Sequence, residues 1–413
     1  MKAEIKHAGR RHFLKTAATA GAGLLLSTGG PAVGRARAGA AESGAGTVPT
    51  RPFGGSGVQV SMLSLGGMFD IPSNQLLLKQ ALRWGVTYWD TADCYGGGRS
   101  EKGIGKFFKR YPEKRSQVFL VTKSDRRDPK GMTRLLERSL ERLQTDYVDL
   151  YFIHGVRRIG ELTDATRAWA EEAKKAGRIR LFGFSTHSNM EACMLAAAGL
   201  GWIDGIMMKY NYRLMHEPEM KAAVKACVAA GIGLTAMKTQ GGGVVTAATE
   251  SELRVAGRFL KKGYTGPQAK LKAVWENPHI ASICSQMPSL DILMANAAAA
   301  MNTTRLSAAD MHLLRRLDRE TAATFCAGCA DICESCLSEP VPVADIMRYL
   351  MYRRNYGDAR RAAAHFARLP LDVRRRLTTT DYRPAEDKCP RRMPIGRLMA
   401  EAARELGETG TRS

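Results

Sequence analysis

Short apolar runs alternate with amphipathic stretches along most of this chain. Each run is followed by a segment in which apolar residues recur every three or four positions, as in residues 130 to 143. This alternation is typical of parallel strands joined by helical crossovers. Eight such units can be counted, with strands predicted at residues 60–65, 87–91, 118–122, 148–153, 179–184, 203–209, 232–237 and 280–286.

Eight successive strand–helix units predict an α/β fold in which the sheet closes into a (β/α)8 TIM barrel, here over residues 51–305. The alternative fold, a doubly wound open sheet, is disfavoured because no Gly-x-Gly-x-x-Gly turn follows the first strand. From about residue 306 the alternation ends, cysteines cluster, and helical patterns rich in Arg and Ala continue to residue 413. We therefore predict a C-terminal, mainly helical, cysteine-rich extension over residues 306–413.

The chain is strongly basic, with a formal net charge of +22. The first 40 residues account for six of these charges, so most of the excess belongs to the rest of the protein. The arginines are scattered over predicted helices and are not gathered with aromatic residues in one stripe. This distribution favours a solvated basic surface over a nucleic-acid site.

The N-terminal 50 residues have the order of features found in an export signal. Arg10-Arg11-His12-Phe13-Leu14-Lys15 precedes a weakly apolar run over residues 16–26, and small-x-small patterns follow at residues 36–40. The segment resembles a twin-arginine signal peptide followed by a linker, which implies contact with the twin-arginine translocase and a periplasmic or other extracytoplasmic location. The apolar run is shorter than the roughly 20 residues that span a bilayer, so no transmembrane helix is expected in the mature protein. The alternative is a disordered basic tail.

Four polar residues lie at or just after predicted strand ends, where the active sites of barrels of this kind are found. They are Asp90, Tyr95, Lys123 and His154. We expect Lys123 to favour the phenolate of Tyr95 and lower a pKa of about 10, with Asp90 holding Lys123 charged. His154 could donate to, or orient, a substrate carbonyl oxygen.

The motif Asp-Thr-Ala-Asp-x-Tyr-Gly-x-Gly-x-Ser-Glu, the strand-end Lys123 and the pair Ile153-His154 resemble the catalytic signatures of aldo-keto reductases. All four positions match over a resemblance that covers about residues 59–301. It implies NADPH-dependent interconversion of a small-molecule carbonyl and an alcohol, with Tyr95 as the general acid or base.

The resemblance also implies a cofactor site, and here the match is partial. The family's cofactor contacts fall on Gly183, Ser185, Lys238, Gly241, Gly242, Gly243 and Asn296. Where the family usually has Asn, Gln and an aromatic residue around the nicotinamide, this chain has Thr186, Met207 and Met237, and residues 286–289 lack the usual basic 2′-phosphate pattern. The matching positions imply NADP(H) as the cofactor. The changed positions leave open that this chain uses NAD or binds no nicotinamide.

Five of the nine cysteines stand apart from the dispersed Cys94, Cys193, Cys227 and Cys284, to which we assign no role. The five are Cys326, Cys329, Cys333, Cys336 and Cys389. Their spacing resembles iron-sulfur binding in the C-terminal extensions of some aldo-keto reductase-like proteins, which implies a 4Fe-4S cluster. Our preferred ligands are Cys326, Cys329, Cys333 and Cys389, with Cys336 as the alternative fourth. A zinc site and disulfides remain alternatives.

Together these features predict an exported oxidoreductase whose cluster either relays electrons, with a redox partner, or braces the fold. Two alternatives stay open. One is a non-catalytic binding or scaffold protein that has lost cofactor affinity, and the other is an electron-transfer protein in which the extension is the functional part.

Overall fold

The computed structural model describes residues 46–245 and 250–407, which belong to one compact unit. It contains ten strands: β1 Thr50–Pro52, β2 Gln59–Ser61, β3 Leu63–Gly66, β4 Tyr88–Asp90, β5 Phe119–Ser124, β6 Val148–Ile153, β7 Ile179–Thr186, β8 Gly205–Lys209, β9 Gly233–Met237 and β10 Ile280–Gln286. Strands β3 to β10 are parallel and pair in sequence order, and β10 returns to β3. The predicted eight-stranded (β/α)8 barrel is confirmed.

Strands β1 and β2 form a separate antiparallel hairpin at the N-terminal end of the barrel. Phe53 follows β1 and is fully buried, in contact with the barrel glycines Gly205 and Gly233, where a Cβ would meet its ring at 2.7 and 2.5 Å. The prediction of one first strand over residues 60–65 is wrong, since residues 59–61 pair with β1 and the barrel strand begins at Leu63. Val60, Met62, Leu63 and Leu65 continue across the break with Ser61 and Ser64 between them, so hydropathy alone does not reveal it.

In the described part of the chain, nine helices surround the barrel: α1 Gln75–Arg83, α2 Arg99–Arg110, α3 Pro129–Leu143, α4 Asp164–Lys175, α5 Met190–Ala198, α6 Pro218–Ala229, α7 Glu250–Leu260, α8 Gly266–Trp275 and α9 Leu290–Met301. Helix α3 shows how the pattern specifies them. Its apolar Met132, Leu136, Leu140 and Leu143 recur on one face and are buried. Asp128 caps the helix, accepting a hydrogen bond from the Gly131 amide at 2.6 Å.

The C-terminal region is helical, as predicted. It comprises α10 Ala308–Glu320, α11 Ala330–Cys333, α12 Val343–Arg354, α13 Ala359–Ala367, α14 Leu371–Arg376, α15 Arg383–Lys388 and α16 Ile395–Gly407. Leu314 and Leu317 of α10 belong to the apolar core shared with the barrel helices. A second apolar cluster lies mainly between Cys326 and Leu406 and includes Val244 from the loop after β9. The extension thus has a core of its own.

The extension docks on the loops that follow β6 to β9, at the C-terminal end of the barrel. Arg157 pairs with Glu334 at 2.7 Å and with Asp345 at 2.5 Å. The Asn189 amide donates to the Gly328 carbonyl at 2.8 Å. The end of the barrel that carries active sites in this architecture is therefore partly covered by the chain's own C-terminal region. None of the helices in the described ranges is long and apolar enough to cross a bilayer.

Candidate active site

The parallel register of the strands brings the four predicted residues to one end of the barrel. Asp90 ends β4, Lys123 lies next to last in β5, and His154 directly follows β6. Tyr95 begins the turn after β4, whose Gly96 and Gly97 have φ angles of 58° and 65°. Side chains other than glycine rarely adopt this backbone conformation. The turn therefore depends on its glycines to hold Tyr95 beside the strand ends.

Lys123 is the centre of the group. Its buried amino group donates to both carboxylate oxygens of Asp90 at 2.6 Å, to the Thr91 carbonyl at 2.8 Å and to the Tyr95 hydroxyl at 3.3 Å. A buried ammonium needs such partners to offset its lost hydration. Asp90 and Lys123 thus form a fixed ion pair that presents positive charge to the oxygen of Tyr95.

The structure corrects the predicted direction of the Tyr95 pKa. Burial raises the pKa well above 10, and the negative charge of Asp90 acts in the same direction. The ammonium of Lys123, paired with Asp90, does not offset these two effects, so the pKa is not lowered as the sequence predicted. Tyr95 is therefore a protonated phenol at neutral pH, which fits a hydrogen-bond donor to a substrate oxygen.

His154 lies beside Tyr95, with ring centroids 5.8 Å apart in an edge-to-face arrangement. Its Nδ1 is 2.8 Å from an oxygen of Asp125, in the loop after β5, and 3.6 Å from the sulfur of Cys94. Asp125 was not predicted, and Cys94 was given no role. Both were missed because a single polar residue in a loop carries no local pattern.

Three of the predicted cofactor residues have structural partners in the barrel. A Cβ on Gly183 would lie 1.8 Å from the Gly205 carbonyl oxygen, so the glycine permits the close approach of β7 and β8. The Ser185 hydroxyl accepts from the Gly155 amide at 3.1 Å, next to His154. Asn296 donates to the Ser285 hydroxyl at 3.1 Å. Of the three, Ser185 is linked to the four-residue group through this hydrogen bond to the residue that follows His154.

The glycine run after β9 packs against the extension. A Cβ on Gly242 would meet the Asn355 side-chain oxygen at 2.5 Å, and one on Gly243 would meet the Thr324 carbonyl oxygen at 2.1 Å. On the other side of the loop, the Gly241 carbonyl accepts from Arg213 at 2.8 Å. On the side where a Cβ would lie, Gly242 and Gly243 are therefore packed against the extension.

Helices α12 and α13 bring residues to the barrel end that the sequence did not suggest. The Tyr352 hydroxyl lies 3.4 Å from the amino group of Lys238, and the guanidinium of Arg361 stacks 4.1 Å from its ring centroid. Burial alone would raise the pKa of Tyr352, but the charges of Lys238, Arg348 and Arg361 outweigh it and lower the pKa to about 7. Burial also lowers the pKa of Lys238.

Four cysteines of the extension line one small, mainly apolar cavity together with Met347 and Met393. They are Cys326, Cys329, Cys333 and Cys389. Cys336 is not among the lining residues, and its sulfur lies 3.1 Å from the Ile332 carbonyl. The structure thus groups the preferred set and leaves out the alternative fourth residue. No disulfide joins any of the nine cysteines, all of which lie within the described ranges.

The cysteine cavity adjoins the barrel end. The amino group of Lys209, the last residue of β8, donates to the carbonyls of Cys326 and Ala327 at 3.1 and 2.9 Å. Burial raises the pKa of the Cys329 thiol to about 12 and that of Cys326 above its ordinary value. Such thiols become thiolates when a metal cation balances their charge.

The barrel and the group of Asp90, Tyr95, Lys123 and His154 define a (β/α)8-barrel enzyme with an acid–base site at the strand ends. The model of the aldo/keto reductase family matches residues 62–288. This is more than half of the chain, which therefore belongs to the aldo/keto reductase family. The extension lies outside the matched residues.

Curated relatives and solved structures agree. The chain is 30% identical to the NADP(+) aldo-keto reductase yakc of Schizosaccharomyces pombe over 221 residues, covering 50% of this chain and 62% of that protein. It is 24% identical over 281 residues to L-galactose dehydrogenase of Arabidopsis thaliana, covering 61% of this chain and 88% of that protein. The chain spans about three fifths of the length of the first curated relatives that it matches.

Two solved structures show the same fold over the barrel. A thermostable aldo-keto reductase determined with the inhibitor epalrestat is 27% identical, with a TM-score of 0.54, over 65% of this chain and 99% of that chain. An aldo-keto reductase from Klebsiella pneumoniae, determined with NADPH, is 24% identical, with a TM-score of 0.52, over 64% of this chain and 93% of that chain.

Proposed function

We propose that this protein is an exported oxidoreductase that interconverts a carbonyl and an alcohol on a small molecule. The observation that carries the proposal is the Lys123 amino group, held 2.6 Å from both oxygens of Asp90 and 3.3 Å from the Tyr95 hydroxyl. Because Tyr95 is neutral, its proton is available to a substrate oxygen. Lys123 then stabilises the phenolate that forms as the proton is transferred.

The proposed hydride carrier is NADP(H), as named for the S. pombe relative and the Klebsiella structure. A bound nicotinamide would supply or accept the hydride. Ser185, which accepts from the Gly155 amide next to His154, lies at the same end of the barrel and supports the proposal.

Replacement of Tyr95 tests the catalytic proposal. We expect Tyr95→Phe to lower turnover of an aldehyde, ketone or alcohol panel with NADP(H) and NAD(H) by about 10²- to 10⁴-fold, the usual contribution of general acid–base catalysis. Tyr111→Phe, at the end of α2, is the matched control. Unchanged turnover in Tyr95→Phe would exclude this mechanism. Native mass spectrometry with and without NADP(H) tests the cofactor, and an intact barrel without binding would favour the scaffold alternative.

For the extension we propose a 4Fe-4S cluster held by Cys326, Cys329, Cys333 and Cys389. The cavity that these four cysteines line together supports the proposal. Lys209 and the lining residue Arg391 would offset the negative charge of four thiolates.

The cysteines also supply a matched pair of variants. In protein purified without oxygen, we expect iron, sulfide and the electron paramagnetic resonance signal of a reduced cluster to be lost in Cys389→Ser and kept in Cys336→Ser. The reverse result would make Cys336 the fourth ligand. Stoichiometric zinc without sulfide in the purified protein would show that these cysteines bind zinc and not an iron-sulfur cluster.

The proposed export rests on residues 1–45, which lie outside the described part of the chain. Replacing Arg10 and Arg11 together by Lys is expected to retain the protein in the cytoplasm, as shown by cell fractionation. If the double variant is still exported, the twin-arginine route is wrong. An exported cluster protein would also require a redox partner if the cluster carries electrons.

A further inference from the structure

Asp125 and His154 come from adjacent barrel strands and meet at the candidate active site. Asp125 lies in the loop after β5, His154 directly follows β6, and Nδ1 of the histidine is 2.8 Å from a carboxylate oxygen of Asp125. The Asp125 side chain is half exposed, whereas that of His154 is 18% exposed. This contact decides which imidazole nitrogen is left for a substrate.

The protonation states at this contact follow from the charges around it. Burial would raise the pKa of Asp125, but its hydrogen bond with His154 and the charges of His154 and Arg127 outweigh burial and lower the pKa to about 2. Burial lowers the pKa of His154 below its ordinary value, against the opposing effect of Asp125. At neutral pH, then, the carboxylate is ionised and the imidazole is neutral.

An ionised carboxylate only accepts hydrogen bonds, so the proton of the neutral imidazole must lie on Nδ1. The other nitrogen, Nε2, then carries a lone pair and is an acceptor. The sequence predicted that His154 could donate a hydrogen bond to a carbonyl oxygen. A neutral His154 held in this way has no proton on Nε2 to donate.

We propose that Asp125 is a positioning residue that fixes the Nδ1–H tautomer of His154, so that Nε2 accepts a hydrogen bond from a substrate hydroxyl. The inference rests on the proposed function and narrows it. At neutral pH the site takes an alcohol in preference to the corresponding carbonyl compound.

The neighbouring phenol completes this selectivity. The oxygen of Tyr95 accepts from Lys123 at 3.3 Å, which leaves the phenolic proton for the substrate. A substrate oxygen at Tyr95 and His154 would therefore meet one donor and one acceptor. A hydroxyl group satisfies both, whereas a carbonyl oxygen satisfies only the donor and leaves Nε2 unpaired.

Other ionisable groups surround His154 and belong to the same set of charges around its imidazole. They come from β4 and the loop after it, from β5, from the loop after β7 and from α13: Asp90, Cys94, Tyr95, Lys123, His187 and His365. Lys123 lowers the pKa of His154, and Asp90 raises it. As pH falls through the lowered pKa, the imidazolium form gains a proton on Nε2, and binding of a carbonyl should improve.

The tautomer can be read directly by nitrogen NMR of protein labelled with ¹⁵N-histidine, with the His154 signals assigned by their loss in His154→Gln. We expect the Nδ1–H form in the native protein, its loss in Asp125→Ala and its retention in Asp125→Glu. Glu137→Gln on α3 removes one negative charge from the same surface groove, and should leave the tautomer unchanged. An Nε2–H form in the native protein, or an unchanged tautomer in Asp125→Ala, would overturn the proposal.

Ligand selectivity gives a second measurement. With cyclohexanol and cyclohexanone as probes, the ratio of their dissociation constants should shift roughly tenfold toward the ketone in Asp125→Ala, as expected for the relief of one unpaired polar group. An equal shift in Glu137→Gln, or no shift, would contradict the inference. The NMR result does not depend on turnover, so it stands or falls separately from the Tyr95→Phe test of the proposed function.

Discussion

The amino group of Lys238, directly after barrel strand β9, lies 3.4 Å from the phenol oxygen of Tyr352 in helix α12 of the extension. The same ammonium lies 4.7 Å from the centroid of the Tyr352 ring. The extension therefore contributes side chains to the end of the barrel that holds the candidate active site. Its removal would alter the site as well as the cysteine cavity.

Tyr352 is expected to ionise with a pKa near 7, about three units below an ordinary tyrosine, because the surrounding cations stabilise the phenolate. The phenol is protonated below this pH and charged above it. An ultraviolet titration of the native protein should show one phenol ionising near pH 7, and Tyr352→Phe should remove that step. Burial raises the pKa of the neighbouring Tyr356, so Tyr356→Phe should keep the step. A native protein without it would refute the expectation.

Replacement of Lys123 by Met should lower the free energy of unfolding and should also inactivate the protein. The Asp90 side chain is 2% exposed, and without Lys123 it would be a buried carboxylate lacking its counter-charge, at a cost of about 3–5 kcal/mol in the free energy of unfolding. Denaturant unfolding measures this cost. The double variant Asp90→Asn with Lys123→Met should recover most of it, and a double variant no more stable than the single one would show that the ion pair is not the cause.

Gly243→Ala should loosen the contact between the loop after β9 and the extension. The added Cβ would lie 2.1 Å from the Thr324 carbonyl oxygen, so we expect a loss of about 1–3 kcal/mol, as for an overpacked core. Hydrogen exchange at the Val244 amide, which donates to Thr324 at 2.7 Å, should accelerate. Gly257→Ala, whose Cβ meets nothing within 4 Å, is the control. Equal exchange in the two variants would contradict the close packing.

Lys209→Met should lower the reduction potential of the proposed cluster. The Lys209 amino group donates to the backbone carbonyls of Cys326 and Ala327, and a positive charge near a cluster favours the added electron. A potentiometric titration followed by electron paramagnetic resonance measures the change. Lys221→Met, on an exposed face of α6, should leave the potential unchanged. An unchanged potential in Lys209→Met would place the charge away from the cluster.

Much of the barrel follows from the sequence because its signals are local. Strand ends are marked by the switch from apolar runs to polar loops. Asp90, Lys123 and His154 could therefore be placed at one end of the barrel from the sequence alone. The start of the first strand could not, since apolar residues continue from Val60 to Leu65 across the break, and only the pairing with β1 separates residues 59–61 from the barrel strand. Whether a segment pairs in the antiparallel hairpin or in the parallel barrel depends on which strand lies beside it, and the segment's own residues do not specify that partner.

What the tertiary structure decided concerns residues that are distant in the chain and electrostatics that depend on burial. Spacing alone left Cys336 and Cys389 as competing ligands, and folding places Cys389 beside Cys326 in one cavity. The sign of the Tyr95 pKa shift depended on how deeply the fold buries the phenol and on the charge of Asp90 beside it, which only the tertiary structure reveals. The contact of Asp125 with His154 likewise joins two loops 29 residues apart. Hydrophobic periodicity thus determines the scaffold, whereas the chemistry at its end depends on which charges the fold brings together and removes from water.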